Sequence, residues 1–109
     1  MSVIYRKGAY YPGTTQNGTT TTSSQRTSVF NSTTSIIRIA VQNDTYIQPI
    51  NSTSTTATTN SMIVPSGGVE FLAVPESSYL AYLQVSSGGW ISITELASQF
   101  NTNPSLPGK

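Results

Sequence analysis

The 109 residues include neither cysteine nor histidine. The first absence excludes a disulfide-stapled secreted scaffold, thiolate metal sites and thiol chemistry. The second removes the commonest general base and metal ligand. Charge is scarce as well: five Lys and Arg and four Asp and Glu make up 8% of the chain, with a net charge of +1. Neutralising phosphates takes clustered Lys and Arg, so no nucleic-acid partner is expected. No apolar run approaches the ~18 residues of a membrane span, and no membrane partner is expected. The opening residues, Met1 to Gly13, carry no apolar segment of the secretory kind. Synthesis in a cytoplasm is the expectation.

Serine and threonine supply the polarity that charge does not, in tracts such as Thr19 to Ser24 and Ser52 to Thr56. A surface of hydroxyls and amides repels other proteins weakly and suits lying against them. The ordered apolar pattern lies in Ile63 to Leu96, where three runs are separated by Pro65 to Gly68, Pro75 to Ser78 and Ser86 to Gly89. Short runs bounded by Gly, Pro and Ser read as strands. Their period is two: Val69, Phe71 and Ala73 share one face, Glu70, Leu72 and Val74 the other. Tyr79, Ala81, Leu83 and Val85 share a face likewise.

Upstream, Ser35 to Gln42 reads as a core strand with Ile37, Ile39 and Val41 inward and Arg38 and Gln42 outward. Tyr46 to Ile50 is a second strand that Pro49 demotes to an edge. Ser92 to Glu95 has capping-box spacing, so that a helical turn is expected after Thr94, over part of Ile93 to Phe100. The Gly67-Gly68 and Gly88-Gly89 pairs read as hairpin turns needing positive φ. Short strands with turn punctuation make the fold class all-β, a small antiparallel sandwich of jelly-roll or immunoglobulin-like type. The expected organisation is an extended arm over 1–34, a β-domain over 35–100 and an extended tail over 101–109. A core this small rarely supplies more than ~3–5 kcal/mol alone, which points to oligomerisation or docking on a larger assembly.

Residues for chemistry are few. The carboxylates are Asp44, Glu70, Glu76 and Glu95, and a serine nucleophile has only Lys7 or Lys109 as base, both outside the β-domain. Neither Gly-Gly pair has the lysine of a phosphate loop. No enzyme activity, cofactor or metal is expected. Tyr5, Arg6, Lys7, Tyr10 and Tyr11 form the one local cluster of aromatic and basic side chains, read as an anchoring arm with Arg6 as a hydrogen-bonding fork. Tyr79 and Tyr82 fall on opposite faces of one strand, one core and the other outward. Tyr82 and Trp90 are the candidate interface aromatics; Trp90 also admits an exposed sugar-stacking reading.

The cysteine-free β-domain, the Thr/Ser-rich arm and the segments VQNDTYIQPINSTS (41–54) and IVPSGGVEFLAVPESSYLAYLQV (63–85) together resemble small accessory virion proteins of tailed bacteriophages, the head decoration or cement type. The resemblance implies a non-enzymatic structural protein on the capsid exterior. It would bind the major capsid protein or other virion proteins and work as a homo-oligomer, a trimer in the usual case. Its arms would cross onto neighbours and add avidity through effective concentration. Phage neck, tail and fibre proteins share the texture, and a carbohydrate- or receptor-binding β-module is the alternative.

Overall fold

The computed structural model describes residues 10–98. Eight strands form two four-stranded antiparallel sheets. They are β1 (Tyr10–Thr19), β2 (Gln25–Arg26), β3 (Ile36–Val41), β4 (Thr45–Ile50), β5 (Met62–Val64), β6 (Val69–Ala73), β7 (Tyr79–Gln84) and β8 (Trp90–Ser98). One sheet has the order β1-β8-β3-β6 and the other β2-β7-β4-β5. The outer pairs are thus β1 with β8, β2 with β7, β3 with β6 and β4 with β5, as if one long hairpin had been rolled up. That is the jelly-roll order, and of the two expected sandwich types it is the one found.

Rolling explains why the connections are not hairpins. Only β4 and β5 are sequence neighbours within one sheet; every other connection crosses between sheets. The corners at Pro65–Gly68, Pro75–Ser78 and Ser86–Gly89 therefore turn the chain over the edge of the sandwich. Gly67 has the expected positive φ of 71°. The Gly88-Gly89 pair does not, which corrects that reading: a side chain at Gly88 would sit 2.6 Å from the Thr20 carbonyl oxygen. Close approach of two corners, rather than handedness, requires glycine there.

The core lies between the sheets. Ile37, Ile39 and Val41 from β3, Ile91 and Ile93 from β8, Ile47 from β4, Val64 from β5 and Leu80 and Tyr82 from β7 are buried together. Their alternation is the strand period read from Ser35–Gln42 and Tyr79–Gln84. Pro49 sits in β4, which is internal in its sheet. The bond from Val85 N–H to the Asp44 carbonyl sets the alternation, so even-numbered residues of β4 bond to β7 and Pro49 points the other way. On that side β5 has already ended, at Met62 opposite Ile47. The missing N–H costs no ladder bond.

Two expectations about the elements are corrected. Residues 10–34 are not an arm: β1 pairs with β8, β2 pairs with β7, and Phe30 is buried in the core. The threonines of this stretch act where the chain changes sheets. Thr20 donates its N–H to the Gly89 carbonyl and its Oγ1 accepts the Gly89 N–H at 2.9 Å. Thr27 Oγ1 accepts the Leu80 N–H at 3.0 Å. Second, no helical turn follows Thr94 among the described residues; β8 continues as strand to Ser98. The Ser92–Glu95 spacing fails as a capping box because the Glu95 carboxylate is bonded to a turn far away in sequence, as set out below. The Ser/Thr tract between β4 and β5 is a folded loop. Ala57 is buried with Ile50 and Ala81 on the outer face of the second sheet, and its N–H is held by Ser24 Oγ at 2.9 Å. A small satellite cluster under a long loop is the usual reason such a loop holds a shape. The expected tail, 101–109, lies outside the described residues.

Candidate interaction surface

Both sheets end on the same side of the sandwich, at β5 and β6, which the Pro65–Gly68 corner joins. These two strands carry an unusual share of the exposed large apolar side chains: Met62 and Ile63 on β5, Val69 and Phe71 on β6, with Phe71 55% exposed. Each strand is also an edge, with one row of backbone groups unpaired among the described residues. Natural sheet edges are commonly blunted by lysine, proline or a bulge. Neither β5 (MIV) nor β6 (VEFLA) contains Lys or Pro. Glu70 is the one charge, on the face of β6 opposite to Phe71.

Register places the rest of this face. Across the first sheet, Phe71 stands opposite Arg38, and Arg38 opposite Thr94, which faces Thr15. The next row reads Val69, Ala40, Ser92 and Asn17. The outer surface therefore grades from apolar at β6 to hydroxyl and amide at β1. Trp90 lies on the same surface at the start of β8, 50% exposed, beside Thr19 and Gln42; its backbone N–H is held by Gln42 Oε1 at 3.1 Å. It is a surface tryptophan and stays a candidate contact.

Tyr82 is corrected. It is 7% exposed and belongs to the core, where burial raises its pKa above the ordinary 10.0. A side chain at Gly18 would collide with its hydroxyl oxygen, so β1 closes over it. Tyr79 is the outward member of the pair, with the Arg26 guanidinium over its ring at 5.2 Å from the centroid. Of the arm cluster, Tyr5, Arg6 and Lys7 lie outside the described residues. Tyr10 opens β1 opposite Ser98, and Tyr11 is exposed.

The carboxylates are spread over the molecule. Asp44 Oδ1 accepts the Ser66 N–H at 2.7 Å, tying the β3–β4 corner to the β5–β6 corner. Glu95 is 5% exposed and faces a bulge in β1 where Gly13 and Thr14 together oppose it. Its Oε1 accepts from the Asn31 N–H at 2.9 Å and from the Thr34 hydroxyl at 2.6 Å. Beside it is an open recess of about 470 Å³ reaching Thr14, Gln16, Ser28 and Val29. Gln16 is itself occupied, accepting the Ser28 N–H at 2.7 Å. These groups hold the β2–β3 connection down on the sandwich. Among the described residues, no three of Asp, Glu, His and Cys converge as metal ligands. No helix of the described residues is long and apolar enough to cross a membrane.

Sequence reasoning found the alternation of β6 but not which face is outside, because both faces carry apolar residues. The available signal was the pair of open edges, visible only once strand order is known. Comparison with family models, with curated proteins and with solved structures returned no match.

Proposed function

We infer that this chain is a non-enzymatic structural protein of a virus particle, which decorates and cements a tailed-phage capsid by packing on the lattice of the major capsid protein. The observation that carries the reading is the β5–β6 side: exposed Met62, Ile63, Val69 and Phe71 on two strand edges that have no lysine or proline to blunt them. β5 is short and Glu70 puts one charge on β6, but exposed apolar side chains along an open edge still suit cover by other protein. The low charge of the whole surface supports the same reading, since it presents little repulsion to a densely packed lattice. Jelly rolls recur in capsid proteins, a likeness of fold that agrees with the same reading. In this reading Tyr5, Arg6, Lys7, Tyr10 and Tyr11 anchor the start of the chain on a neighbouring subunit and add avidity to the contact.

The test is co-sedimentation of the purified chain with empty shells assembled from a tailed-phage major capsid protein. The chain is expected to pellet with the shells at a saturable stoichiometry. Phe71→Glu, which sets a charge in the apolar side without touching the core, is expected to weaken binding at least tenfold. A chain that stays in the supernatant at saturating shell concentration overturns the reading.

A further inference from the structure

The edge of β6 contains enough detail to specify what pairs with it. Val74 N–H bonds to the Ser35 carbonyl, and Val41 N–H to the Gly68 carbonyl. In an antiparallel ladder hydrogen-bonded and non-bonded pairs alternate, so the even-numbered residues of β6 spend their backbone groups on β3. Val69, Phe71 and Ala73 therefore aim their N–H and C=O groups at the open edge. Their side chains are the exposed ones on the outer face. Donors, acceptors and apolar side chains of one potential contact thus belong to the same alternate residues.

We propose that β6 pairs antiparallel with β6 of a second copy of this chain across a two-fold axis at Phe71, joining two four-stranded sheets into one. This deepens the structural reading above, on which it rests, by giving the backbone edge of β6 to the subunit contact and leaving β5 and the outer face of the joined sheet to the capsid lattice. At that register Phe71 faces the second copy's Phe71, and Val69 faces the second copy's Ala73. Each of these pairs exchanges both backbone bonds. Apolar side chains meet apolar ones along the whole outer row, and aromatic cross-strand pairs are among the stronger ones.

Charge selects the same register. Glu70 stands opposite the second copy's Leu72, whereas a shift that sets Glu70 against itself would oppose two like charges. Arg38, one strand in from Phe71, would be separated from its counterpart by three strand spacings, roughly 14 Å. That exceeds the ~8 Å screening length at physiological salt, so the two cations do not oppose the contact. The opposite edge of the same sheet, β1, is a poorer occupant. It offers Thr15, Asn17 and Thr19 to the outer face, and would set hydroxyls and an amide against Val69 and Phe71. An isologous contact also closes after two copies, whereas a head-to-tail one through unlike edges would run on as a filament.

The chain lacks cysteine, so a single introduced thiol reports its own neighbour. Phe71→Cys, at an exposed position, is expected to give a covalent dimer with a short bis-maleimide, which spans the roughly 5.5 Å between the Cβ atoms of a hydrogen-bonded pair, a separation too wide for an unstrained disulfide. Thr15→Cys, on the β1 edge, is expected to stay monomeric under the same conditions. Sedimentation velocity of the unmodified chain should show a monomer–dimer equilibrium that Phe71→Glu shifts at least tenfold toward monomer. An unmodified chain that is monomeric at all accessible concentrations, or cross-linking at Thr15 but not at Phe71, overturns the pairing. The shell assay separates the two readings. A monomeric chain that still pellets with shells leaves the structural role standing without this contact. A dimer that never pellets leaves the contact standing and removes the role.

Discussion

Deleting residues 1–34 is expected to leave a chain that does not fold, whereas deleting residues 1–9 is expected to leave a cooperative domain. The longer deletion removes β1, which covers one edge of β8 from Tyr10 to Thr19, and β2, which covers one edge of β7. It also removes Phe30, one of the largest fully buried side chains. Truncating a buried phenylalanine to alanine alone costs about 3–5 kcal/mol. A domain of this size has about 5–15 kcal/mol of net stability. Losing Phe30 together with the bonds from Thr27 to Leu80 and from Thr20 to Gly89 takes the chain below zero. Circular dichroism and a thermal melt of the two truncations decide the matter. A cooperative melt of residues 35–109 would show that the first two strands are dispensable and that the sandwich boundary drawn here is wrong.

Glu95→Ala is expected to cost about 3 kcal/mol, the largest effect of any single change outside the apolar core. The carboxylate is buried, and Asn31 N–H and the Thr34 hydroxyl both give their hydrogen to its Oε1. Removing the acceptor strands the buried Thr34 hydroxyl and the part-buried Asn31 N–H, and a stranded group costs roughly 1–3 kcal/mol. Glu95→Gln keeps an oxygen acceptor of the same length and is expected to lose about 1 kcal/mol, the difference between a charged and a neutral acceptor. Glu76→Ala, at an exposed corner, is expected to fall within about 0.5 kcal/mol of the unmodified chain. Urea midpoints at constant m-value measure all three. Equal losses for the alanine and glutamine variants would mean that shape, not hydrogen bonding, holds the β2–β3 connection.

These two expectations mark where local sequence pattern carries and where it stops. β3, β7 and much of β8 are legible because isoleucine, leucine and valine alternate with residues that face away from the core. β1 is illegible for a physical reason: as an edge strand carrying a bulge, it has mainly Thr, Gly, Asn and Gln and buries little of itself. Its partner is at the far end of the chain, and no local signal announces a contact of that separation. The same distance misleads at Glu95, where the Ser92–Glu95 spacing suits a helix start but the carboxylate answers to Asn31 and Thr34. Turn residues were found in the right places, yet turn chemistry does not say which sheet the next strand joins. In a jelly roll that choice is made by the rolled pairing of the whole chain.

The candidate surface was legible to the same extent. Alternation put Val69, Phe71 and Ala73 on one face of β6 and Tyr79 and Tyr82 on opposite faces of β7, both of which hold. The sign of each choice required the neighbours. Tyr82 is inside because Leu80 and Ile47 are beside it in the core, while Tyr79 is outward under Arg26. Phe71 is outside because its neighbour Leu72 packs against the core, which turns the alternate residues of β6 away from it.

Hydrogen–deuterium exchange at β6, followed by mass spectrometry with residue-level fragmentation, tests most directly the claim that this side of the sandwich is where the chain meets other protein. In dilute solution the amides of Val69, Phe71 and Ala73 should exchange rapidly and those of Glu70 and Leu72 slowly, since only the latter face β3. Raising the concentration through the dimer range, or adding capsid shells, should protect the odd-numbered amides and slow them toward their neighbours. If the odd-numbered amides stay fast while the chain is demonstrably assembled, the β6 edge is not the contact and the account fails at its centre.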